Sequence, residues 1–282
     1  MIALLGSLKP LSVAPTPVAP YNLDYLVIAG GGAGGGSNHV DYFPQGTGGA
    51  GGYISGLFAS VTDSAYYIFI GAGGVSSNSS GKGNDSYLQS FSNKITSIGG
   101  GGPGYNSVFP SEGISAQNGG SGYGAIGTGG AGILGQGFPG GSGPGTSGVD
   151  QAMGGGGGAG QAGENYNLTA KGGDGLTWLD GITRAGGGGG FTSLFIEGAG
   201  GAGGGGNGGV FPNVGQPGVV NTGSGGGGSQ RRTGGVAGGT GGSGIVKVRY
   251  TGTPRATGGT ITQSGGFTYH EFTSSGRLIF TS

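Results

Sequence analysis

The sequence predicts a mostly β and irregular fold with essentially no α-helix: a bundle of polyglycine II helices flanked by short β-strands and closed by a C-terminal β-hairpin. Three observations lead there. Glycine supplies 84 of the 282 residues. Short stretches rich in β-branched and aromatic residues pass directly into or out of glycine tracts. Aromatic residues make up 9% of the chain and charged residues 8%. Each interior glycine costs a helix about 1 kcal/mol against alanine, so this composition removes helix. Collagen needs glycine at every third position, and tracts such as Gly154–Gly158 and Gly186–Gly190 break that period. Disordered segments are poor in aromatics and rich in charge, the reverse of this chain.

The elements follow in order. Residues 1–22 hold Pro10, Pro15, Pro17 and Pro20 and read as an extended attachment arm. Strands are expected at 23–29, 53–55, 65–70 and 94–98, each bordering glycines. From about 99 to 244 glycine tracts alternate with polar and aromatic loops at irregular spacing, which excludes a solenoid of fixed repeat. Residues 244–250 alternate apolar and polar and read as a half-buried strand. Residues 267–272 and 277–281 read as a hairpin around Thr273–Gly276, with Gly276 at a positive-φ turn position. The expected organisation is an arm at 1–22, a glycine-rich domain at 23–252 and the hairpin segment at 253–282.

A glycine tract can hold a fold only through its backbone. The three-residue polyproline II turn makes no internal hydrogen bonds, so its peptide groups point outward. Neighbouring tracts can satisfy them if no Cβ keeps the chains apart. The loops then gather at the ends of the bundle.

Chemistry is sparse. The chain has no cysteine, two histidines, and 11 basic against 11 acidic side chains. Thiol chemistry is therefore excluded, and the balanced charge argues against nucleic acid. Gly30, Gly32 and Gly35 mimic a dinucleotide fingerprint, but residues 36–44 show no helical period to receive a pyrophosphate. Lys82 and Lys171 lack the order of a phosphate loop. His39 with Asp41, and His270 with Glu271, are read as surface residues, because nothing shows converging ligands. Asn78 and Asn167 head glycosylation sequons that mean nothing outside a eukaryotic secretory route. The apolar patch at Ile2–Leu5 lacks a preceding charge, which argues against a signal peptide, and no stretch is long enough to span a membrane. No cofactor, metal or catalytic residue is expected. The loop aromatics Tyr105, Phe109, Phe138, Tyr166, Trp178 and Phe211 either cap the bundle ends or form an exposed binding tip. Arg231 and Arg232 form the one concentrated charge. The receptor-contact candidates are Tyr105, Phe109, Tyr166, Trp178, Phe211, Arg231 and Arg232.

Leu23–Gly32, Gly49–Tyr53, Ile70–Gly74, Ile98–Gly102 and Gly241–Val246 together resemble, over residues 23–250, the glycine-rich domain common in phage tail-fibre and virion structural proteins. Phe272–Gly276 resembles a segment that often precedes such a domain; here it follows, and it is expected to pair with Leu23–Ala29 within or between chains. The overall character is similar to tail-tip adhesins with a polyglycine II sandwich and variable distal loops. The resemblance implies a non-enzymatic virion protein, a tail fibre or tail-tip adhesin in an extracellular particle. Its partners would be other virion proteins through the arm and a host receptor or glycan through the loops, with homo-oligomerisation open. The alternatives are a capsid-surface fibre or decoration protein with a purely architectural role, and an ice-binding or extracellular matrix protein.

Overall fold

The computed structural model describes residues 21–35, 46–76, 81–103, 118–145, 152–230 and 238–281. Residues 1–20 of the expected arm, with His39, Asp41, Asn78, Tyr105, Phe109, Arg231 and Arg232, lie outside the described residues, while Tyr21 and Asn22 belong to a strand. Among those described there is no helix, and strands and extended glycine runs carry the structure.

The strands build two antiparallel five-stranded sheets. The first contains β1 (Tyr21–Ile28), β2 (Tyr53–Val61), β8 (Ile245–Thr251), β10 (Thr260–Ser264) and β11 (Phe267–Phe272), in the order β10-β11-β8-β1-β2. The second contains β3 (Ala65–Phe69), β4 (Ser86–Gln89), β5 (Lys94–Ser97), β9 (Ala256–Thr257) and β12 (Gly276–Phe280), in the order β5-β4-β3-β12-β9. A short hairpin, β6 (Leu176–Thr177) and β7 (Thr183–Arg184), stands apart. Alternating side chains close the two large sheets face to face. Leu23, Tyr25 and Val27 of β1 and Val246, Val248 and Tyr250 of β8 meet Tyr66, Ile68, Leu88, Leu278 and Phe280 of the opposing sheet. Tyr21 stacks on Phe280 at 4.2 Å between centroids, locking the first described residue to the end of β12.

The expected C-terminal hairpin is corrected. Strands β11 and β12 do not pair: β11 lies between β10 and β8, whereas β12 lies between β3 and β9. The hairpin instead joins β10 to β11 through Gly265 and Gly266, with φ of 58° and 81°. A two-residue turn with both φ values positive matches the twist of its strands, and glycine takes it without strain. Gly276 is not among the positive-φ residues. Strand β11 also reaches β1 only through β8. The segment 253–282 contributes β9, β10, β11 and β12 to the two sheets.

At one end of the sandwich the strands turn into glycine runs. Ile28, Tyr53 and Ile245 are in register, and residues 29–35, 46–52 and 238–244 continue them as glycine-rich chain. The runs at 71–74, 81–85 and 99–103 do the same for β3, β4 and β5. A strand offers its hydrogen bonds in two opposed directions, with period two. The glycine runs have period three. The amides of Ala29, Gly32 and Gly35 donate to Gly52, Gly49 and Gly46; those of Gly30 and Ala33 to Asn84 and Gly81; those of Gly31 and Gly34 to Gly242 and Gly239. Residues three apart thus serve one neighbour, and three neighbours surround the donors. Gly30, Gly31 and Gly32 accept in turn from Gly100, Gly74 and Gly226, on three further runs. The tract 154–159 repeats the pattern, donating to Ala125 and Gly122, to Glu164 and Gln161, and to Gly188 and Ala185. Partners that recur every third residue are what the extended glycine helix expected from the sequence would give.

Closeness enforces the composition. A Cβ built on Gly32 would fall on the carbonyl oxygen of Gly101, one on Gly34 on that of Gly227, and one on Gly156 on that of Gly48. These clashes lie well inside the 3.0 Å that real Cβ atoms respect. The α-hydrogen standing in that direction faces the oxygen instead, a weak attraction of about 0.5–1 kcal/mol.

Two predictions follow from this core. Gly156→Ala should destabilise the protein by about 3 kcal/mol or more, since backbone cannot move aside as a side chain can. Gly127→Ala, where nothing lies within 4 Å, should leave the melting temperature unchanged. Thermal unfolding followed by circular dichroism separates the two. The second concerns His270, which is wholly buried and thus corrected from a surface residue. Its Nδ1 donates to the Gly258 carbonyl at 2.7 Å, so Nε2 accepts from the Tyr250 hydroxyl at 3.0 Å. Burial pushes its imidazole below the ordinary range, against the pull of the Gly258 carbonyl. The unfolded chain takes up a proton near pH 6.5 and the folded chain resists it, so this stability is complete above that pH and declines as pH falls below it. Melting temperatures between neutral and mildly acidic pH should drop for the wild type and drop less for His270→Gln.

Candidate binding surface at the loop end

Successive runs alternate in direction, so their connections collect at two ends of the bundle. At the sandwich end, the amide of Tyr53 donates to Gln136 in one connection, and the chain at 176–184 forms the β6–β7 hairpin. Trp178 belongs to this end. It is 5% exposed and packs with Leu26, Ile28, Tyr53 and Ile245, edge-on to Tyr269 at 6.3 Å. Its place among the exposed receptor contacts is therefore corrected: the ring pins the hairpin onto the outer face of the first sheet. That face requires cover because Leu26, Ile28 and Ile245 point away from the inter-sheet core.

The same hairpin delivers Asp180 to a buried ion cluster. Asp180 Oδ2 accepts from Arg184 and from Lys247, each at 2.8 Å, and Lys247 also pairs with Glu271 at 2.7 Å. Burial opposes the charge on Asp180, yet the hydrogen bonds from Arg184 and Lys247 prevail and hold its carboxyl at about 2. Strand β8 is consequently buried on both faces, rather than half-buried as its alternation suggested.

The far end carries the turns at 166–169, 192–197 and 210–214. They lie side by side because the residues beneath them are hydrogen-bonded in sequence: Gly190 to Ala170, Gly198 to Gly190, and Gly208 to Gly198, at 2.8–2.9 Å. The 192–197 turn is tightly closed. Thr192 donates to the Ile196 carbonyl at 3.0 Å, and the Ile196 amide donates to Thr192 Oγ1 at 3.2 Å. Glu197 Oε1 accepts from the Val210 amide at 3.1 Å and from Asn213 Nδ2 at 2.9 Å, tying this turn to the next. At the crest Leu194 is 78% exposed and Ile196 57%, with Phe195, Phe211, Val214 and Leu168 also exposed. Phe195 has a φ of 58°, a region that strains an L-residue by about 1–2 kcal/mol.

Of the sequence-derived candidates, Tyr166 and Phe211 fall at this end, Tyr166 half-buried with its amide on the Ser142 carbonyl at 3.1 Å. Tyr105, Phe109, Arg231 and Arg232 lie outside the described residues. Phe138 sits within a run, its amide on the Gly158 carbonyl, rather than in a loop. Leu194, Phe195 and Ile196 were missed, although Ser193–Ile196 interrupts the glycine tracts with consecutive large apolar residues. Among the described residues no group of three or more His, Asp or Glu is placed to hold a metal.

Together these features define a class: an antiparallel β-sandwich extended by a bundle whose interior is main chain. A family model described as a glycine-rich domain matches residues 11–251, and the chain belongs to that family. A search of curated proteins gave no match.

The hairpin assignment is open to measurement. Trp178→Ala should cost about 3 kcal/mol by deleting a buried indole. Asp180→Asn should cost a similar amount by leaving Lys247 and Arg184 without their shared anion, about 3 kcal/mol. Urea denaturation gives both values, and a Trp178→Ala protein of wild-type stability would contradict the anchor role.

Proposed function

We propose that the protein is a non-enzymatic structural protein of a phage virion, a tail fibre or tail-tip adhesin whose loop end attaches to the host cell surface. The observation that carries this reading is the apolar crest at Leu194, Phe195, Ile196 and Phe211, exposed at the end of the bundle remote from the Tyr21–Phe280 stack. A rod joined to its particle through the segment before Tyr21 would present that crest outward. Large exposed apolar and aromatic side chains are what recognition surfaces use. Phe195 strengthens the reading, since a chain this rich in glycine places a strained aromatic where glycine would sit without cost. Tyr105, Phe109, Arg231 and Arg232 remain contact candidates on the sequence argument, and other virion proteins are the proposed partners of the segment before Tyr21.

Competition by the purified protein against adsorption of its phage is the direct test. The Phe195→Ala and Phe211→Ala proteins should compete about tenfold less well each, as residues at the centre of an interface do. Phe91→Ala, an exposed residue on the sandwich, should compete as the wild type does. Equal competition by all variants would leave an architectural role on the particle as the better account.

A further inference from the structure

The two outer faces of the sandwich differ. The β6–β7 hairpin covers that of the first sheet, while the second sheet leaves Tyr67 50% exposed, with Phe69 and Ile279 also open. The register of the second sheet aligns a row of side chains across four strands: Lys94 opposite Gln89, Gln89 opposite Tyr67, and Tyr67 opposite Arg277. The next row holds Thr96, Tyr87 and Phe69.

Both cations in this row rest on aromatic rings. The Arg277 guanidinium lies 4.4 Å from the centroid of Tyr67 and donates to its hydroxyl at 2.8 Å. Lys94 Nζ lies 4.9 Å from the centroid of Tyr87, which stacks on Phe69 at 5.3 Å. Among the described residues neither forms an ion pair, whereas Lys171, Arg184, Lys247 and Arg249 each hold a carboxylate. None of β3, β4, β5, β9 or β12 contains an acidic residue. Asp63 and Asp85, beside the strands, are engaged by Ser92 and by the Gly99 amide. The face therefore holds two oriented positive charges three strand spacings apart, about 14 Å, with an amide and hydroxyls between them.

We propose that this face binds an acidic polysaccharide, laid across the strands with its carboxylates on Lys94 and Arg277 and its hydroxyls on Gln89, Tyr67 and Thr96. The charge pattern selects the ligand. A nucleic acid strand presents a phosphate about every 3.4 Å and needs many cations to hold it, while two cations at this separation can take two non-adjacent acids of a polyuronate and leave those between them in water. The rings hold the cations in place, which reduces the ordering cost of binding.

The test is titration of the whole protein with polygalacturonate, dextran and polyuridylate, followed by calorimetry and by affinity electrophoresis. Binding to polygalacturonate that weakens with added salt, and no binding to dextran, is the expected result. Lys94→Gln and Arg277→Gln should each reduce affinity about tenfold. Gln89→Glu, which places an anion within the row, should reduce it further while thermal unfolding stays that of the wild type. Binding to dextran of equal strength, tighter binding to polyuridylate, or variants that bind as the wild type does would overturn the proposal. So would a wild-type dimer that Gln89→Glu dissociates, since the face would then belong to a second copy of the chain. None of these readouts depends on the loop end, so the attachment reading stands or falls separately.

Discussion

Main chain packed directly against main chain is the constraint from which the rest of this structure follows. An ordinary core excludes water with side chains and satisfies peptide groups within sheets or helices. Here the peptide groups are the filling. A run such as 29–35 is ringed by runs that receive its amides and by others that donate to its carbonyls. Glycine loses more conformational freedom on ordering than any other residue, and each backbone hydrogen bond returns only about 0.5–1.5 kcal/mol net. The arrangement holds because nearly every peptide unit takes part at once. It also explains why the bundle begins where the sandwich ends: the sheets supply a template in which Ile28, Tyr53 and Ile245 are already in register.

The division of labour between the two halves is clear at the β6–β7 hairpin. It emerges from the bundle at Gly175, crosses the outer face of the first sheet, and returns at Ala185. Trp178 and the Asp180 cluster attach it there. Lys247, an interior residue of β8, is thereby neutralised by an acid nearly seventy positions earlier in the chain. The contact couples the bundle to the sandwich through side chains, whereas elsewhere the two are coupled through continuous strands.

Much of this architecture was legible in the sequence, for identifiable reasons. The absence of helix followed from glycine content alone. The strands at 23–29, 65–70 and 94–98 announced themselves by aromatic and β-branched residues beside glycine, and the structure has β1, β3 and β5 there. Strand pairing was less accessible. The expected partner of β11 was β12, because Thr273–Gly276 reads as a turn; yet those residues cross from one sheet to the other. Gly265-Gly266 was the stronger two-residue hairpin signal, obscured in a chain where paired glycines are everywhere. Trp178 was named a contact candidate because it lies between glycine runs, where an aromatic can either cap the bundle or stand exposed. The uninterrupted apolar stretch Leu26–Ile28 was the clue to the contrary, since a strand apolar on both faces must be covered on both. The strained Phe195 could not be read in advance, because its φ belongs to the folded turn.

A main-chain interior also changes how the fold responds to temperature. Exposing hydrocarbon raises the heat capacity of a protein, and exposing peptide groups lowers it. When the runs separate, what meets water is chiefly amide and carbonyl, with little aliphatic surface among them. The bundle therefore contributes a small heat-capacity increment for its length, and the free-energy curve of unfolding is correspondingly shallow. Chilling removes less of its stability than it would from a fold of the same length built on leucine and valine.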